Sequence, residues 1–85
     1  MKLELIIGQA DPIDCLDSLE KIGCKFTEIS REIDEEVANS YVVVEVADSE
    51  DFINKVKESF VNMSFNTPDM LNSILDSDEK ELWSQ

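Results

Sequence analysis

Apolar residues along this chain fall into two alternating rhythms. Leu3, Leu5 and Ile7 alternate with Lys2, Glu4 and Ile6, which predicts a strand over residues 2–8 closed by Gly8. Ile13, Leu16, Leu19 and Ile22 then recur at helical spacing. Asp11 is placed to cap that helix, Pro12 suits its first position, and Gly23 stops it. Residues 24–33 read as a second strand. Phe26 and Ile29 fall on opposite parities there, so a bulge is expected near Glu28. Asp34, Glu35 and Glu36 make a turn. Residues 41–46 are the strongest strand signal, with Val42, Val44 and Val46 on one face. Asp48 and Ser49 cap a second helix whose buried stripe is Phe52, Ile53, Val56 and Phe60, and Glu50 and Asp51 suit its positive end.

The last third reads differently. Residues 61–65 fit a short, weak fourth strand. Thr67-Pro68 then predicts a helix carrying Met70, Leu71, Ile74 and Leu75. Asp76 with Glu79 has capping-box spacing and predicts a last short helix ending near Trp83. The expected organisation is a single domain over residues 1–85, with a core at 1–65 and a helical tail at 66–85.

Strand, helix, strand, strand, helix and a weak strand is the split βαβ order of ferredoxin-like folds. The predicted class is therefore α+β, a ferredoxin-like βαββα(β) sandwich with a C-terminal helical extension. Its first and third strands would pair centrally. Leu3, Leu5, Ile7, Val42, Val44 and Val46 would face the helices. Ile6, Tyr41 and Val43 would share the opposite face with Lys2, Glu4 and Glu45. That face is too apolar to stay bare. The tail, a second copy in a homodimer, or a target would cover it.

Charge then changes the picture. Twenty Asp and Glu oppose seven Lys and Arg, with no histidine, for a net charge of −13 on 85 residues. Such a body repels nucleic acid and anionic lipid, and steers cationic surfaces toward itself. No basic patch offers a direct nucleic-acid site. No apolar run approaches a membrane span, and the N-terminus is too short and too acidic for a signal peptide. The acid is spread through folded-looking segments rather than gathered in a disordered tail. Cys15 and Cys24 have neither redox nor zinc spacing and read as buried thiols in a reducing cytoplasm.

Pro12, Leu16, Leu19 and Ile22-Gly23, then Val43-Val44-Glu45-Val46, then Phe52 and Val56, resemble the core pattern of ACT-like small-molecule-sensing domains. The resemblance covers about half the chain. It implies a regulatory domain that dimerises and binds a small metabolite. In size and composition the whole chain is also similar to small acidic bacteriophage-encoded inhibitors, among them nucleic-acid mimics and antitoxin-like proteins. That likeness implies a basic protein as partner.

Glu28, Glu32, Asp34, Glu35 and Glu36 crowd into nine residues with Arg31 as the only cation. They could stand in for phosphates in a basic groove. As a solvated hairpin tip they would need no partner. Together with Ile6, Tyr41 and Val43 they are the candidate partner-binding residues. Capping accounts for Asp48, Glu50 and Asp51, and for Asp76 and Glu79. Asp69, Asp78 and Glu81 line the tail. Met63, Phe65 and Trp83 read as core or tail-docking residues. With twenty carboxylates, close pairs arise by chance and carry no catalytic signal. No histidine can act as base or metal ligand, and no nucleotide-binding or nucleophile motif is present. The expectation is a non-enzymatic binding protein with no cofactor or metal. It would inhibit or sequester a nuclease, toxin or similar basic protein by occupying its nucleic-acid groove.

Overall fold

In chain order, the computed structural model of residues 1–85 contains β1 (Lys2–Ile7), α1 (Ile13–Lys21), β2 (Thr27–Asp34) and β3 (Asn39–Glu45), followed by α2 (Ser49–Val61), β4 (Leu71–Leu75) and β5 (Glu81–Ser84). The strands form one five-stranded sheet in the order β2-β3-β1-β4-β5. Every neighbouring pair is antiparallel. Both helices pack on one face of it, so the molecule is α+β with two layers.

Strand parity decides what is buried. Leu3, Leu5 and Ile7 of β1 and Val42 and Val44 of β3 are at most 1% exposed. They meet Cys15, Leu16 and Leu19 of α1 and Phe52, Ile53 and Val56 of α2 in a single cluster. A side chain of this size contributes about 1.5–3 kcal/mol when fully buried. Phe26 adds an edge-on contact to Phe52, with ring centres 6.0 Å apart. The register sets Leu3 opposite Val44 and Leu5 opposite Val42, as the alternating faces predict.

Local signals set the helix ends. Pro12 occupies the N-cap of α1, one position before the expected one, and Asp11 Oδ1 accepts from the Ile13 N–H at 3.0 Å. Gly23 has φ of 96°, a left-handed conformation that closes α1 through a Cys24 N–H to Leu19 carbonyl bond of 3.0 Å. Asp48 Oδ1 caps α2 by accepting from the Asp51 N–H at 3.0 Å. Asp51 in turn pairs with Lys55 one turn on, at 2.8 Å. The irregularity expected near Glu28 is present: the β2–β3 register shifts between Glu28 and Ser30.

The tail is the main correction. Residues 66–85 are not helical. They form β4 and β5, which extend the sheet beyond β1. Leu71 and Ile74 mimic helical spacing because a bulge lies between them. Ile7 pairs with Leu71 and Leu5 with Ile74, so two steps on β1 match three on β4, and both side chains turn to the core at 0% exposure. Asn72 is the extra residue. Its side chain lies over Gly8, where a Cβ would meet Asn72 Nδ2 at 2.9 Å. Asp76 and Glu79 do not form a capping box. Asp76 Oδ1 accepts from the N–H groups of Asp78 and Lys80, both at 2.9 Å, and Glu79 takes φ of 63°, so this spacing builds a hairpin turn.

Residues 61–65 form no strand. α2 continues through Val61, and Met63 and Phe65 stand 87% and 102% exposed, so neither is core. The fourth strand lies instead at Leu71–Leu75. Trp83 does dock, its ring 5.2 Å from that of Phe60, but from a strand.

Cys15 and Cys24 are free and buried. Burial pushes the Cys15 thiol up to about 12 and the Cys24 thiol up to about 11, from an ordinary value of 9.0. Both folded values are raised, so the stability from keeping the thiols neutral is complete below pH 9.0. It is lost as pH rises toward the folded values. Replacing both by alanine is expected to flatten the alkaline part of the stability–pH curve, measured by urea unfolding between about pH 8 and pH 10.

Two further outcomes follow from the fold. Leu71→Ala and Ile74→Ala are each expected to cost about 2–5 kcal/mol in urea unfolding, whereas Phe65→Ala stays within about 0.5 kcal/mol. Ala38, in the β2–β3 turn, has φ of 55°. The strain of about 1–2 kcal/mol on an L side chain there exceeds the extra chain entropy that glycine brings to the unfolded state. Ala38→Gly should therefore raise the unfolding midpoint, and Ala38→Val should lower it.

Candidate protein-docking face

Strand register carries the candidate residues into rows across the sheet face that the helices leave free. Glu32 lies opposite Tyr41, Tyr41 opposite Ile6, Ile6 opposite Ser73, and Ser73 opposite Ser84. One row away, Ser30 faces Val43, Val43 faces Glu4, and Glu4 faces Leu75. Neighbours in such a row have Cβ atoms about 4.5–5.5 Å apart. Ile6, Tyr41, Val43 and Leu75 are all half-buried on this face. Asn39 Nδ2 donates to the Tyr41 hydroxyl at 3.4 Å and helps to orient the ring.

The structure thus brings Ile6, Tyr41, Val43 and Glu32 together, with Asp34 on the same side of β2 opposite Asn39. It separates the other three. Glu28 lies opposite Val44 and turns toward the helices. There it receives two 2.8 Å hydrogen bonds from the Arg31 guanidinium, which hold its carboxyl below the usual range. Glu35 and Glu36 belong to the hairpin turn, where Asp34 Oδ1 accepts from the Glu36 N–H at 3.1 Å. They extend the acid beyond the end of the sheet face without lying on it.

The tail, one of the three coverings that the sequence allows, does not lie across this face as a helix. β4 and β5 lengthen the sheet beyond β1, and only their turn borders this face, where Asp76, Ser77 and Glu79 line a cleft with Lys2, Glu4 and Val43. Carboxylates surround this apolar centre: Glu4 within it, Glu32 and Asp34 toward β2, Glu45 opposite Lys2, and Glu81 beyond Leu75. Glu4 and Asp76 are half-buried, and every other Asp and Glu of the chain is exposed. Only three of the twenty carboxylates form ion pairs, with the N-terminal ammonium, Arg31 and Lys55. The negative field is therefore largely uncompensated.

Sequence reasoning missed Leu75 and Ser73, because the Asn72 bulge disguised β4 as a helix. It also missed a second acidic surface. Asp17 and Glu20 of α1 line a cleft with Ile13, Leu16, Phe26, Glu28 and Arg31. The signal was available, since Asp14, Asp17 and Glu20 recur every three residues. No three His, Cys, Asp or Glu side chains gather in an arrangement able to hold a metal ion, and no helix is long and apolar enough to cross a membrane. With this geometry in place, comparison with known proteins adds no relative: no protein-family model, curated protein or solved structure matches the chain.

Proposed function

We propose that this chain is a non-enzymatic acidic binding protein that inhibits or sequesters a basic, nucleic-acid-binding protein by occupying its nucleic-acid groove. The observation that carries the reading is the uncovered sheet face, apolar at Ile6, Tyr41 and Val43 and rimmed by Glu4, Glu32, Asp34 and Glu45. An apolar centre supplies the desolvated contacts that hold a complex together. A carboxylate rim supplies the sign that selects a cationic partner and speeds its arrival. The hairpin turn with Glu35 and Glu36 continues the same sign outward, as a phosphate backbone does.

We also read β1 to β4 with the two helices as a ferredoxin-like core to which β5 is added. The order β2-β3-β1-β4, antiparallel throughout, supports this reading. The scaffold matters for function because helices close it on one side and leave the other side of the sheet without a helix layer.

Neutralising Glu32, Asp34, Glu35 and Glu36 to amides is the direct test. A partner is first captured on the wild-type chain and identified, and its binding kinetics are then measured at low salt. Association should slow by about tenfold or more, with dissociation changed less and the melting curve preserved. Equal association rates for the two proteins would remove the steering role. A captured partner that binds nucleic acid equally well with and without this chain would remove groove occupation.

A further inference from the structure

The strand β2 ends the sheet, bonded to β3 on one side and to nothing on the other. It is an edge of eight residues, every one of them exposed. Arg31 lies opposite Val42 and Ile33 opposite Ser40, both fully buried beneath the helix layer. Arg31 borders a cleft with Asp17 and Glu20 of α1, but Ile33 is 45% exposed, so the helix layer stops short of the end of β2. The edge is therefore open along its backbone, and on both faces from Glu32 to Asp34.

Proteins usually blunt such an edge with a bulge, a proline or an inward charge. Here the bulge sits at Ile29, beside the Glu28–Arg31 pair, and guards the first half of the strand. From Ser30 to Asp34 the pairing with β3 is regular, with no proline and no lysine.

We infer that the β2 edge from Ser30 to Asp34 takes up an extended cationic segment of the partner protein as an added antiparallel or parallel strand. The inference rests on the proposed role as a binder of basic proteins and says how the partner is held. Main-chain hydrogen bonds along the edge supply affinity, and side chains set the sign. The charge on this segment chooses the occupant. Glu32, Asp34, Glu35 and Glu36 face outward without a cation, because Arg31 is already bonded to Glu28. A second copy of β2 would set carboxylates beside carboxylates, which destabilises a strand pair. Lysine or arginine on the incoming strand would set opposite charges across it.

Two probes separate strand addition from simple attraction. One is a short peptide of alternating lysine and valine. The other is the same peptide N-methylated at every backbone nitrogen, with equal charge but no donors. Each is titrated at low salt into the isotope-labelled full chain, and amide hydrogen exchange is read residue by residue. The unmodified peptide is expected to slow exchange at Ser30 to Asp34 by about tenfold or more, and to bind more tightly than its methylated twin. Equal binding of both peptides, with exchange in this segment unchanged, would overturn strand addition and leave charge-driven docking standing. Binding of neither peptide would overturn both. Slowed exchange that appears without peptide and grows with protein concentration would make a second copy the occupant and overturn the cationic one.

Discussion

The pairing of β1 between β3 and β4 is the constraint on which everything else in this molecule depends. β1 has six residues, and three of them, Leu3, Leu5 and Ile7, are fully buried. Their partners across both ladders, Val44, Val42 and Ile74 among them, are buried with them. A shift of one residue in either ladder would turn this apolar set to the wrong face. The register therefore fixes which side the helices can cover. By the same step it fixes which residues, Ile6, Tyr41 and Val43, are left on the other side. Core and candidate docking face are two readings of one alternation.

That coupling explains what the sequence made legible. Regular alternation in β1 and β3 gave both the core and the free face correctly; the helical period found Leu16, Leu19, Phe52, Ile53 and Val56 in the core, but Ile13, on the same period, stands 50% exposed and Cys15 takes a buried place on α1. Legibility ended where the period broke. A bulge adds one residue to one strand, so Leu71 and Ile74 acquire a spacing of three and imitate a helix. A carboxylate that accepts from backbone N–H groups just after it can close a hairpin turn as well as cap a helix, and Asp76 does the former. Phe65 misled for another reason. Hydrophobicity says that a side chain gains from burial, but only the path of the chain says whether burial is available. Of the candidate site, the strand-borne residues could be placed by parity. The separation of Glu28 from Glu32 could not, because it depends on the two-for-one count at the Ile29 bulge.

Electrostatics and packing pull against each other here. The molecule measures about 32 × 27 × 20 Å, only a few screening lengths across at physiological salt, where the Debye length is about 8 Å. Seventeen of its carboxylates have no ion-pair partner. Self-repulsion on that scale works against the compact state. A core of fifteen buried apolar residues holds the chain together in spite of it. A bound cationic surface would relieve part of that repulsion, so folding and the proposed partner binding would be thermodynamically linked through charge as well as through contact.

The two ends of the sheet are unequal, and this limits how the molecule can assemble. β5 has four residues, and the chain beyond it is tied back: the Gln85 side chain donates to the carbonyls of Asp69 and Leu71 at 2.8 and 3.0 Å. A strand-to-strand stack grows without end only when each unit offers two long, compatible edges. This chain offers one. Whatever joins its sheet at β2 meets a short margin on the far side, so the addition ends with a discrete complex instead of propagating into a fibre.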